Sequence, residues 1–270
     1  MRDAFKKVKE ALYDPECHKV VFIVHSQGSI EGSMILDWLL AEVPRSLLGQ
    51  LEIYSFGCAA NHWNNPHLHE SSVFSNLGSL SNGNYPSLLK RTSTFPKLLR
   101  ETPPNTKAIG HIEHYANQSD WVCRWGVLHF TSGVPSKSGT NRFMGTVFER
   151  RGYGHQFNQH YLNNMFTLDK NGRVAESNDF MDGEVEVCLD DERQDTRDAV
   201  ADGIYSVAGI GRKVNTVEVR DVNSPIAAPL TNGQWDRVLK NLKVKDMSRL
   251  WKYRNGASPP ELSGTPHVEQ

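Results

Sequence analysis

Residues 20–28, Val-Val-Phe-Ile-Val-His-Ser-Gln-Gly, have the residue types and spacing of a nucleophile placed on a sharp turn. The β-branched apolar run at 20–24 predicts a buried strand, and residues 30–43 carry apolar side chains at helical spacing. Ser26 lies between the two, so a strand-to-helix turn would expose its hydroxyl, as in a nucleophile elbow. The backbone N–H of Gln27 would then donate to an oxyanion at the helix N-terminus, where the helix dipole favours negative charge.

Two neighbours of Ser26 are predicted to support this elbow. Gly28 is small, which lets the strand and the helix approach each other closely. His25 should point away from the hydroxyl and act as a packing or hydrogen-bonding neighbour. In the alternative interpretation, Ser26 does no chemistry and only caps the helix.

A serine nucleophile needs a base, and the base needs an orienting carboxylate. Asp120 follows the third predicted strand and is the candidate acid, with Glu113 inside that strand as its rival. His155 follows the fourth predicted strand on a glycine-flanked turn and is the preferred base. His160 is the alternative base, and whichever histidine is not the base would support the loop by hydrogen bonding.

The elbow and the chain order of serine, acid and histidine resemble the α/β-hydrolase superfamily in its lipase and serine-esterase branch. The resemblance covers about residues 1–168 and extends to a group of uncharacterised fungal proteins of this fold. It is also carried by Ser-Phe-Gly-Cys-Ala-Ala-Asn at 55–61, His-Tyr-Ala-Asn-Gln-Ser-Asp-Trp-Val at 114–122 and Gly-His-Gln-Phe-Asn-Gln-His-Tyr-Leu at 154–162. It implies hydrolysis of small-molecule or lipid esters by Ser26, His155 and Asp120, without a cofactor.

Two departures from the family pattern favour an alternative function. Val24 stands where the family has the first glycine of the elbow, and the loop that supplies a second oxyanion donor is not found upstream. The alternative is a catalytically inactive hydrolase-fold binding protein or a fragment of a longer hydrolase.

The predicted fold is a parallel α/β sheet with strands at 20–24, 51–56, 112–116 and 144–148, separated by helices. A complete hydrolase sheet has further strands before the elbow, whereas only one predicted helix precedes residue 20. We therefore expect a partial sheet whose strand before Ser26 is an exposed edge. A missing N-terminal region or a partner would cover that edge.

Three regions are predicted along the chain. Residues 1–168 form the hydrolase-like core, with a lid-like or disordered insertion at 67–106 that is rich in Ser, Asn and Pro. Residues 169–231 are an acidic, irregular linker. Residues 232–270 contain a helix over 232–254 and a disordered tail.

Composition argues against several other functions. The 30 Lys and Arg residues balance 31 Asp and Glu residues, which is atypical of a dedicated nucleic-acid binder. No apolar run is long enough for a transmembrane segment, and the absence of a signal peptide predicts a cytoplasmic location. The cysteines show no paired spacing, so free thiols are expected. His62, His67 and His69 lie in a polar loop, which is a poor frame for a metal site, so no metal is predicted.

Overall fold

The computed structural model describes residues 1–66, 107–131, 143–187, 216–221 and 242–260. The predicted insertion at 67–106 lies outside the described residues. The same holds for His67, His69, Cys188, the first part of the predicted C-terminal helix and the predicted tail beyond residue 260.

The described residues form a sheet of six strands, in the spatial order β1-β2-β3-β4-β6-β5. The strands are β1 Val20–His25, β2 Leu51–Phe56, β3 His111–Asn117, β4 Thr146–Arg150, β5 Glu184–Val187 and β6 Thr216–Asp221. Strands β1 to β4 are mutually parallel and neighbour each other in chain order. The prediction of an α/β fold around a parallel sheet is therefore confirmed at the level of fold class.

The fourth strand begins later than predicted, and Gly145 gives the reason. Gly145 has φ +108°, and a Cβ at this position would lie 2.7 Å from a methyl carbon of Ile112. The chain therefore makes a tight turn against β3 before it becomes extended at Thr146. Because β4 then ends at Arg150, the glycine-flanked turn that carries His155 follows directly, as the sequence predicts.

Helices and irregular segments cover the two faces of the sheet. Helices α1 (Arg2–Tyr13), α2 (Gly28–Glu42) and α3 (Arg45–Leu48) pack on one face, where Leu12, Leu36 and Leu39 are buried. The remaining segments are α4 Trp121–Trp125, α5 Val127–Phe130, a π-helical turn Phe157–Leu162, α6 Asn163–Met165, α7 Val244–Met247 and a 3₁₀ segment Leu250–Gly256. Within the described ranges, every helix is too short or too polar to cross a membrane.

Two segments of the region predicted as an irregular linker are strands of the sheet. β6 pairs antiparallel with β4, and β5 pairs parallel with β6. Valines alternate with acidic or basic residues in both segments, and Val185, Val217 and Val219 are buried. This two-residue period is typical of a strand with one buried face, but the acidic composition of the region hides it.

The C-terminal helix predicted over 232–254 is broken in its described part. Ser248 is extended, with φ −68° and ψ 121°, and separates α7 from the 3₁₀ segment. The break directs the backbone N–H of Arg249 to the buried carboxylate of Glu113, at 2.6 Å. Arg249 itself is buried and bonds Glu52 through Nε at 2.8 Å, so this basic side chain packs on the sheet instead of facing solvent.

Strand β1 is an edge of the sheet formed by the described residues. Val21 and Ile23 point to the same face as Tyr54 of β2 and are 41% and 50% exposed. Large apolar side chains on a sheet edge are normally covered, because an open edge can pair with other chains. The exposed edge matches the expectation from the sequence, whereas what covers it stays a prediction.

Candidate active site

Ser26 is held on a strained turn between β1 and α2. Its φ is +55°, a left-handed conformation that few residues other than glycine adopt. Its N–H donates to Phe56 O at 3.1 Å, which continues the β1–β2 ladder, and its carbonyl accepts from the N–H and the hydroxyl of Ser29. Hydrogen bonds to both the N–H and the carbonyl of Ser26 therefore fix this conformation. Strain of this kind is concentrated at functional sites.

The close approach of strand and helix occurs at Gly32 and not at Gly28. A Cβ at Gly28 would meet no atom within 4 Å, so the predicted steric role of Gly28 is wrong. A Cβ at Gly32 would lie 2.9 Å from Val24 Cγ1 and 3.1 Å from the Trp63 ring. The missing side chain at Gly32 therefore makes room for Val24, where the predicted elbow would have a glycine, on the buried side of the turn.

The imidazole of His155 connects Ser26 with Asp120. His155 Nε2 lies 2.6 Å from Ser26 Oγ, and His155 Nδ1 lies 2.8 Å from Asp120 Oδ2. An ionised carboxylate only accepts hydrogen bonds, so Nδ1 carries the proton and Nε2 accepts the hydroxyl of Ser26. The structure thus brings together the three residues predicted as nucleophile, base and acid.

These side chains meet because each follows the carboxyl end of a parallel strand. Ser26 follows β1, Asp120 follows β3 and His155 follows β4, and these strand ends lie at one edge of the sheet. Crevices at this edge are the usual ligand sites of open α/β sheets.

Asp120 is fully buried and accepts several hydrogen bonds. Its Oδ1 accepts the N–H of Val122 at 2.9 Å, so it caps α4 as well as orienting His155. Its Oδ2 accepts the phenol O–H of Tyr161 at 2.7 Å, in addition to the bond from His155. Burial, with smaller effects from Cys123 and Asp120, raises the pKa of Tyr161 well above its usual value, so the phenol stays a donor.

The other two histidines near the triad hold the loop that carries His155. His25 Nε2 donates to the carbonyl of His155 at 2.7 Å, and the two rings stack with their centroids 4.8 Å apart. Burial lowers the pKa of His25, which keeps the ring neutral beside His155. His160 Nδ1 accepts the N–H of Gln156 at 3.0 Å within the loop. The alternative base is therefore in a supporting position, and the rival acid Glu113 is bound to Arg249 and Tyr115 instead of to His155.

Gly57 forms the wall beside His155 and was not singled out by the sequence. It follows β2 with φ +55°, and a Cβ there would lie 3.0 Å from the His155 ring and 3.2 Å from Asp120 Oδ2. A glycine directly after the second strand is the sequence signal that could have indicated it.

Asn117 was also missed by the sequence analysis. Its side-chain amide donates to the carbonyls of Gly154 and His160 and so stabilises the loop that carries His155.

Gln27 and two tryptophans complete the surroundings of Ser26. Gln27 precedes the first turn of α2, where backbone N–H groups have no acceptor within the helix. Trp121 and Trp125 are 64% and 77% exposed, and the Trp121 ring centroid is 6.2 Å from that of His155. Exposed aromatic surface therefore flanks the site on the side of His155.

The candidate metal and thiol residues have structural partners. His62 bonds Asp37 and Asn61, each at 2.7 Å. In the ranges that the structure covers, no group of three or more His, Cys, Asp or Glu side chains is arranged to hold a metal ion. Cys58 and Cys123 are buried free thiols, and burial raises the pKa of both.

Comparison of the chain with known protein families, with curated proteins and with solved structures found no match. A hydroxyl, an imidazole that accepts its proton, and a buried carboxylate behind that imidazole form the arrangement required for nucleophilic catalysis.

Proposed function

We propose that this protein is a serine hydrolase of the α/β-hydrolase type that acts on carboxylic esters. The observation that carries the proposal is the continuous hydrogen-bonded chain from Ser26 Oγ through His155 to buried Asp120, built on a serine with φ +55°. A serine that only caps a helix needs neither the strained backbone nor an imidazole at 2.6 Å.

The proposed reaction has two halves. In the first, Ser26 Oγ attacks the ester carbonyl carbon while His155 Nε2 takes its proton, and the N–H of Gln27 stabilises the oxyanion. The tetrahedral intermediate collapses with cleavage of the bond to the alcohol oxygen, which receives the proton from His155. In the second half, His155 takes a proton from water, the water oxygen attacks the acyl group, and the carboxylic acid leaves while Ser26 regains its proton.

The surroundings of the triad support an ester with an apolar part. Trp121 stands beside His155, which must protonate the departing alcohol, so the alcohol portion of the substrate would lie against this indole. An exposed indole offers a large apolar surface at low cost in conformational entropy. Esters of apolar or aromatic alcohols, which include lipids, fit this arrangement better than charged substrates.

The test is steady-state hydrolysis of a short-chain acyl ester by four variants. We expect Ser26→Ala and His155→Gln each to lower kcat by at least about 10³-fold, and the double variant to be no worse than either, since the two act as a unit. Ser33→Ala is the matched control, because Ser33 is a buried serine of α2 whose hydroxyl bonds Ile30 O. Ser26-independent hydrolysis would refute the proposal, and a folded chain without hydrolysis would support a non-catalytic binding protein.

A further inference from the structure

We propose that Tyr161 is a positioning residue of the triad, which sets how strongly Asp120 binds His155. The proposal rests on the proposed function and names a residue that the serine, histidine and acid pattern does not include. Its basis is that the phenol of Tyr161 and the imidazole of His155 donate to the same carboxylate oxygen, Asp120 Oδ2, at 2.7 and 2.8 Å.

Tyr161 is fixed in place by burial and by two further contacts. Its side chain is fully buried under the sheet, in the cluster that contains Phe56 and Tyr115. Its hydroxyl oxygen accepts the backbone N–H of Asn117 at 3.2 Å and lies 3.3 Å from Cys123 Sγ. Because the hydroxyl oxygen accepts the N–H of Asn117 on one side, its own proton points to Asp120 Oδ2 on the other.

A carboxylate oxygen that accepts two donors shares its negative charge between them. The phenol therefore weakens the attraction of Asp120 for the imidazolium of His155 and favours the neutral imidazole, which is the form that accepts the proton of Ser26. Removing the phenol leaves Oδ2 to His155 and to the weak, distant thiol donor Cys123, at 3.6 Å. The imidazolium is then stabilised, and His155 should take up its proton at a higher pH.

Titratable side chains from four elements meet at the pair formed by Tyr161 and Asp120. The titratable groups are His25 from β1, Cys123 from α4, Tyr161 from the π-helical turn and, facing Tyr161, Arg150 from β4. His25 is neutral and bonds the backbone of His155, and Cys123 stays protonated. Besides His155, two titratable side chains donate to Asp120 Oδ2. These are Tyr161 at 2.7 Å and Cys123 at 3.6 Å, so the phenol makes the shorter bond.

The experiment follows the titration of His155 by NMR in the full chain, which requires no substrate. In Tyr161→Phe we expect the titration midpoint and the acid limb of kcat/KM to move together to higher pH by about 0.5 unit. Tyr115→Phe is the matched control, because Tyr115 is an equally buried tyrosine of the same apolar cluster whose phenol donates to Glu113. A titration in Tyr161→Phe that coincides with that of Tyr115→Phe would overturn the proposal.

A second variant keeps the test valid if Tyr161→Phe does not fold. Incorporation of 3,5-difluorotyrosine at position 161 strengthens the phenol as a donor, so the His155 titration should move to lower pH, opposite to the phenylalanine variant. A purely structural role predicts no such reversal, and its absence would overturn the proposal. If the variants show these titration shifts but the wild-type chain shows no Ser26-dependent hydrolysis, the proposal stands and the proposed function is refuted.

Discussion

Gly57→Ala should impair the site much more than it destabilises the fold. The residue has φ +55°, and left-handed backbone costs a residue with a Cβ about 1–2 kcal/mol. The new Cβ would also lie 3.0 Å from the His155 ring and 3.2 Å from Asp120 Oδ2. Because ordinary contacts of a Cβ begin near 3.4 Å, His155 would have to move by about 0.4 Å. A displacement of about 1 Å costs on the order of 100-fold in rate, so we expect roughly a tenfold loss in kcat.

Gly172→Ala separates the effect on the site from the effect on the backbone. Gly172 has φ +71°, and a Cβ there would meet no atom within 4 Å. Both variants should lose a similar free energy of unfolding in urea, whereas only Gly57→Ala should hydrolyse an ester more slowly per folded molecule. Equal rates in the two variants would refute the placement of Gly57 against His155.

Two further predictions concern the aromatic flank and a buried histidine. Trp121→Ala should raise KM for a benzyl ester by roughly two- to tenfold and leave KM for the corresponding methyl ester unchanged, because an aromatic contact contributes about 0.5–1.5 kcal/mol. Equal changes for both esters would argue against contact with the alcohol portion. His114 is buried between Ser55 Oγ and Met144 O, and burial lowers its pKa to about 4. In the unfolded chain the imidazole of His114 takes up a proton near pH 6.5, whereas the folded chain keeps it neutral down to about pH 4. Its contribution to the free energy of unfolding should therefore fall by at most about 1.4 kcal/mol per pH unit as pH decreases from 6.5 to 4. The pKa of His25 is also lowered, so His25 adds to the loss in the same direction. Urea unfolding at pH 7 and pH 5 measures this slope, and equal stabilities would contradict it.

The arrangement of Ser26, Asp120 and His155 could be predicted because it depends on chain order and strand periodicity. Four apolar strands separated by helices indicate a parallel sheet, and residues that follow parallel strands must share one edge. The position of His155 after a glycine-flanked turn is a local feature of the sequence. These relations need no knowledge of how side chains pack.

The residues that packing determines could not be predicted in the same way. Gly32 takes the role expected of Gly28, because where α2 crosses β1 depends on the size of Val24. Tyr161 reads as an apolar residue of a helix, and only the fold brings its hydroxyl to Asp120. Strands β5 and β6 were missed because the acidic composition of the region suggested a linker, although valines alternate with charged residues in both segments.

The most direct test of the triad is covalent labelling by a fluorophosphonate probe, followed by intact-mass measurement and peptide mapping. A nucleophilic serine activated by His155 should carry a single adduct at Ser26 in the wild type and in Ser33→Ala, and none in Ser26→Ala. An adduct that persists in Ser26→Ala, or a folded wild-type chain that takes up no probe, would contradict the assignment of Ser26 as a catalytic nucleophile.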